Sequence, residues 1–295
     1  EIIGADGKVG LALANKDVAV TVTKGDYSFT KNITVISATT YALTVGAEEN
    51  GATTLSKVEG ILENEEVTAT FAPAQGYAVV SYTVTTDEGS VKYPAYGKTE
   101  AKFAVPGNAT VTANYVLASE VATFNYADGR SVAYYYVDGG FKNSGGDKSY
   151  DYDYVMDSIR DSEGNNIDSS IFGVEPITTF ADGKWSNFFD SSDRIALFSD
   201  KDSGAYSGFK MTSKHKIHSI TITYQSSTYV ARASVQANGV ELKGTIEGDA
   251  VRSYAVDGNE FSITNVSGGN YLYMKGINIV YEAPRDHTYE FDAEN

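Results

Sequence analysis

Trp185 is the only tryptophan in the chain. It lies in Ala181-Asp182-Gly183-Lys184-Trp185-Ser186-Asn187-Phe188-Phe189-Asp190, among polar and turn-forming residues without clean alternation, which is the composition of a loop. A pyranose ring offers an axial C–H face that packs on a flat aromatic ring, while carboxylate, ammonium and amide groups bond its hydroxyls. Trp185 with Asp182, Lys184 and Asn187 supplies both kinds of group within a short stretch. The competing reading seats Trp185 in the end of a core beside Phe188 and Phe189, because large aromatics dominate core energetics. The residues alone leave that choice open.

Ser149-Tyr150-Asp151-Tyr152-Asp153-Tyr154 alternates with period two. In an extended chain this puts Tyr150, Tyr152 and Tyr154 on one face and the aspartates on the other. Such a row is either a stacking platform for sugar or the core face of a half-buried strand, the ordinary meaning of this period. Tyr134-Tyr135-Tyr136 carries the same ambiguity. Asp200-Lys201-Asp202-Ser203-Gly204-Ala205-Tyr206 is a polar turn ending in an aromatic, so Tyr206 is a further candidate for sugar contact.

Catalytic and metal chemistry find less to work with. Asp161-Ser162-Glu163-Gly164-Asn165-Asn166-Ile167-Asp168 has oxygen ligands at alternate positions but lacks the central Gly and terminal Glu of the helix-flanked calcium loop. An irregular calcium site is left open there; no other cofactor is expected. His215, His218 and His287 form no metal or nucleophile signature, and His215 and His218, flanking the start of a strand-like run, read as surface residues. There is no Gly-x-Ser-x-Gly and no phosphate loop. An acidic chain offers carboxylate pairs everywhere, so pattern does not decide against a glycosidase; the expectation is a protein that is not an enzyme.

The elements that would hold these residues are strands. Thr, Val, Tyr and Phe recur in alternating runs punctuated by many of the 28 glycines, with five prolines and no long pattern of period 3.6, the signature of an all-β fold of short antiparallel strands. The length of 295 residues suits about two domains. Net charge is −16, which disfavours nucleic acid and anionic lipid as partners but does not repel neutral glycans. Cysteine is absent, which removes disulfides, thiol nucleophiles and Cys-based zinc sites and suits an exported bacterial protein. No apolar run approaches the length that spans a bilayer, so membrane insertion is not expected.

Along the chain, Val18–Val22 and Ile33–Ile36 are strand-like runs. Tyr41-Ala42-Leu43-Thr44-Val45 is followed by Val67-Thr68-Ala69-Thr70-Phe71-Ala72-Pro73-Ala74-Gln75-Gly76-Tyr77, then by Phe103-Ala104-Val105-Pro106 and Val111-Thr112-Ala113-Asn114-Tyr115. In order and spacing this resembles the B-repeat module of internalin-type bacterial surface proteins over about residues 41–116. It departs in lacking the Trp that often follows the Gly-Tyr segment, where Val80-Ser81-Tyr82 stands. The resemblance implies a spacer or stalk. Further on, Ile220-Thr221-Ile222-Thr223-Tyr224 and Ile277-Asn278-Ile279-Val280-Tyr281 share the form Ile-x-Ile-x-Tyr. Over about 185–282 they resemble the β-sandwich modules of surface and carbohydrate-active proteins of gut bacteria, which are similar in architecture to carbohydrate-binding modules.

The expected organisation is therefore 1–38 as strands of a preceding or flanking β module and 39–117 as a small B-repeat-like β domain. Residues 118–283 then form an antiparallel β-sandwich with a glycan site. Residues 284–295 read as a linker and the start of a further module, because Thr288-Tyr289-Glu290-Phe291 echoes Thr123-Phe124-Asn125-Tyr126. The expected role is non-catalytic binding of a polysaccharide by a monomeric part of a longer secreted or cell-surface chain; a neutral glucan such as starch is implied only by the resemblance. The alternative is a structural or protein-binding adhesin segment with no sugar site.

Overall fold

The structure is a computed structural model that describes residues 16–35, 39–126, 134–137, 140–143, 149–150, 171–180 and 194–283. It is all-β: the described helices are one-turn pieces, at Ala118–Glu120 and Ser227–Val230. None is long and apolar enough to cross a membrane.

A hairpin of β1 (Lys16–Lys24) and β2 (Tyr27–Val35) turns at Gly25, whose φ of 59° suits the residue. The strands β3 (Thr40–Tyr41), β4 (Leu43–Val45), β5 (Gly51–Leu55), β6 (Ile61–Leu62), β7 (Glu66–Pro73), β8 (Tyr77–Thr86), β9 (Gly89–Pro94), β10 (Glu100–Ala104) and β11 (Ala109–Leu117) enclose a first core. They make a three-stranded sheet β10-β7-β5, a four-stranded sheet β4-β11-β8-β9 and the small pair β3-β6. The β4–β11 contact is parallel, and every other described pair in this domain is antiparallel.

Alternation sets which side chains enter. Val67, Ala69 and Phe71 of β7 and Val111, Ala113 and Tyr115 of β11 are buried, with more exposed residues between them, as the pleat requires. Tyr82 of β8 sits at the centre, 5.6 Å from Phe71, 6.0 Å from Phe103 and 5.0 Å from Tyr93, ring centre to ring centre. It thereby joins the two sheets as a sandwich. Burial raises the pKa of its phenol far above the ordinary tyrosine value.

The remaining strands are β12 (Val121–Tyr126), β13 (Tyr134–Val137), β14 (Gly140–Asn143), β15 (Ser149–Tyr150), β16 (Phe172–Thr178), β17 (Ile195–Phe198), β18 (Ser207–Tyr224), β19 (Ala233–Ala237), β20 (Val240–Glu241), β21 (Thr245–Gly248), β22 (Val251–Asn265) and β23 (Tyr271–Glu282). All but the small β13-β14-β15 sheet join one antiparallel array in the order β12-β23-β18-β22-β19-β20, with β16, β17 and β21 added to β18, β23 and β22. The array folds on itself because its long strands bend. β18 pairs with β22 through residues 208–212 and again from Ile217, with register shifts between. β22 answers with a left-handed φ of 50° at Asp257. Strands that bend at bulges carry a sheet round a corner, so the inner faces close on Ile217, Ile220, Ile222, Phe209, Met211, Ile263, Leu272, Met274, Ile277 and Ile279.

His215 and His218 do not flank a strand start as the sequence suggested. They lie inside β18, which begins at Ser207, and both are half-buried at its bend. Residues 212–216 lack alternation because the strand is irregular at that point.

The two cores meet. Val80 of β8, Val121 and Val280 bury one another, with Tyr96 and Val116 packed alongside. This seam explains why Val79-Val80-Ser81-Tyr82 is buried without alternation: β8 is covered on both faces. Around the seam Lys92 pairs with Asp257 at 2.7 Å and Lys98 with Glu247, and the Ala283 N–H donates to the Glu120 carbonyl at 2.9 Å.

Candidate ligand-binding face

Of the residues singled out from sequence, Asp182, Lys184, Trp185, Asn187, Tyr152 and Tyr154 lie outside the described residues, as does the 161–168 acidic run. Tyr150 is described through its backbone, which pairs with Phe141 in β15. Tyr206 is fully described. It follows a turn in which the Asp200 carboxylate accepts from the Asp202 N–H (3.0 Å) and the Ser203 hydroxyl (2.9 Å), contacts that hold its pKa below the usual carboxylate range. The Tyr206 N–H donates to Thr179 Oγ1 at 2.9 Å, and its carbonyl accepts from the Thr179 N–H at 3.0 Å. Tyr206 is thereby fixed beside the residue that precedes Phe180.

Phe180 opens onto the most distinctive feature of the second domain. In Tyr271-Leu272-Tyr273-Met274-Lys275 the period of two sends Leu272 and Met274 into the core and puts Tyr271, Tyr273 and Lys275 on the opposite face. The register of β17 sets Phe198 opposite Tyr271 and Ala196 opposite Tyr273. The result is a row of half-buried rings. Phe180 lies 5.9 Å from Phe198, Phe198 lies 4.9 Å from Tyr271, and Tyr271 lies parallel to Tyr273 at 5.4 Å with 4° between planes. Tyr229, on the one-turn helix, meets Tyr273 edge-on at 5.3 Å.

Polar groups border the row. The Arg194 guanidinium sits 3.7 Å from the Tyr273 ring centre and donates to Gln225 Oε1 at 2.8 Å. The Arg232 guanidinium sits 4.8 Å from the Tyr229 ring centre and donates to the Tyr271 carbonyl at 2.6 Å. The Gln225 N–H donates to the Tyr273 carbonyl at 3.1 Å, tying the helix to β23. Rings, guanidinium groups and an amide are suited to holding a ligand by C–H/π contact and by donated hydrogen bonds. The described side chains of the row include no carboxylate and no imidazole that could move a proton, and no cluster of three or more metal-ligating residues occurs among the described residues.

No family model, curated protein or solved structure matches this chain.

Sequence reading did not single out Tyr271, Tyr273, Tyr229, Arg194 or Arg232. The Tyr-x-Tyr-x-Lys alternation was the available signal, but pairing with β17 was needed to add Phe198 and Arg194. In sequence, residues 181–193, which carry Trp185, fall between Phe180 of the row and Arg194 beside it.

Proposed function

We propose that this chain binds a polysaccharide without altering it chemically, using the aromatic row of β17 and β23, as one part of a modular bacterial surface protein. The observation that carries the reading is the half-exposed line Phe198–Tyr271–Tyr273–Tyr229 with guanidinium and amide donors along it. A linear polymer of sugar rings matches such a line: successive C–H faces lie against aromatic carbon while hydroxyls meet planar donors. Trp185, Asn187, Lys184 and Asp182, on the segment between Phe180 and Arg194, would add contacts, with Tyr206 close to the Phe180 end.

Affinity gel electrophoresis against a panel of soluble polysaccharides tests this, with Tyr271→Ala, Tyr273→Ala and Trp185→Ala run beside the parent and their melting temperatures recorded. Retardation by at least one glycan, lost in a variant that still melts cooperatively, supports the reading. A parent that migrates freely in every gel removes it. The close ring-to-ring packing along the row favours a second reading, a structural or protein-binding segment whose aromatics cover one another; under that reading the variants melt early and no glycan retards the parent.

A further inference from the structure

Building on the polysaccharide-binding reading, we propose that the ligand is anionic, with its carboxylate or sulfate groups received by Arg232 and Lys275 while its sugar rings lie along Tyr271, Tyr273 and Tyr229. The chain as a whole is strongly acidic, yet residues 225–240 and 261–281, which include Tyr229, Arg232, Tyr271, Tyr273 and Lys275, contain no Asp or Glu. At the chain-wide frequency of 39 acidic residues in 295, stretches of that combined length would hold about five. The same stretches contribute Arg232, half-buried against Tyr229, and Lys275, exposed on the face of Tyr271 and Tyr273. Neither forms an ion pair with a described residue, although Lys92, Lys98, Lys210 and Lys216 elsewhere in the structure all do.

A guanidinium partly withdrawn from water and facing no carboxylate among the described residues gains from an anion placed against it. The charge of −16 does not forbid this. At physiological ionic strength, repulsion from the rest of the surface is screened over about 8 Å, whereas a direct charge-assisted hydrogen bond acts within about 3 Å. Residues 181–193 carry Asp182, Asp190 and Asp193 in sequence between Phe180 and Arg194, so the anion is assigned to Arg232 and Lys275 and not to Arg194.

Ligand pairs that share a backbone and differ in charge separate this proposal from the reading beneath it. Polygalacturonate is compared with its methyl ester, and dextran sulfate with dextran, by titration calorimetry on the full chain. The expected result is that the anionic member of at least one pair binds about tenfold tighter or more, the scale of one charge-assisted hydrogen bond. The pair that responds identifies carboxylate or sulfate. Arg232→Gln and Lys275→Gln should each weaken the anionic member about tenfold more than they weaken the neutral member, while Arg232→Lys retains part of the preference. Neutral members that bind as well as the anionic ones, or glutamine variants that weaken both equally, overturn the anionic assignment and leave polysaccharide binding standing. If no member of any pair and no glycan of the panel binds, both fall together.

Discussion

Lys92, on β9 of the first domain, places its ammonium 2.7 Å from the carboxylate of Asp257, the residue at which β22 of the second domain passes through a left-handed φ of 50°. The same carboxylate receives Lys216 of β18 at 2.6 Å. One side chain thus closes the bend of the sandwich and receives the neighbouring domain. Asp is among the few non-glycine residues that tolerate this backbone region, which accounts for an acidic residue inside a strand.

The seam beneath that contact should make the two domains unfold together. Val280→Asp would bury a carboxylate against Val80 and Val121, an environment that strongly penalises an unpaired charge. Calorimetry is expected to show one transition for the parent and two for the variant, with a larger radius of gyration in solution scattering. Two independent transitions in the parent would contradict a coupling role for the seam. Lys92→Met, by contrast, should lower stability by less than about 1 kcal/mol, because the pair is partly exposed and screened.

Stability should decline as pH falls, in two stages. Burial pushes the His218 imidazole below its ordinary value, Lys216 and Lys92 acting the same way and Glu282 and Asp257 opposing. A histidine with a lowered folded pKa binds its proton more readily when unfolded, so stability is complete above about pH 6.5 and is lost as pH falls through the folded pKa. At Asp257 burial raises the pKa, but the hydrogen bonds and charges of Lys216 and Lys92 outweigh it and hold the carboxyl low. That contribution is present above about pH 3.9 and is lost at more acidic pH. Urea midpoints measured from pH 7.5 to 5 should show the first stage, and His218→Gln should flatten it.

Tyr224 and Tyr254 share a buried hydroxyl–hydroxyl bond of 3.0 Å inside the second core, and burial raises both phenol pKa values. Tyr224→Phe leaves the Tyr254 hydroxyl without this partner and should cost about 1–3 kcal/mol. The Tyr224→Phe, Tyr254→Phe double variant should cost less than the sum of the singles. Strictly additive losses in denaturant titrations would mean the two hydroxyls do not depend on each other.

Gly208 is required by space. A Cβ there would stand 2.4 Å from the Ile263 carbonyl oxygen and 2.9 Å from Thr264 Cα, and paired backbone of adjacent strands cannot yield cheaply. Gly208→Ala should destabilise by about 1–3 kcal/mol. Gly107→Ala, with nothing within 4 Å of the added atom, should change the melting temperature little.

The all-β class was legible in the chain because a strand writes its burial into neighbouring residues. Val67, Ala69 and Phe71, or Ile220, Ile222 and Tyr224, alternate for the local reason that the pleat sends successive side chains to opposite faces. Three kinds of feature were not legible, and each depends on residues far apart in sequence. β8 loses its alternation because a second domain covers its outer face. The bend of β18 hides His215 and His218 inside a strand and is met by a backbone kink at Asp257, about forty residues on. The aromatic row needs β17, β23 and the one-turn helix side by side, so no single stretch displays it. Periodicity reports which face of a strand is covered; which element covers it, and which half-exposed faces line up, follows from long-range pairing that only the folded chain makes.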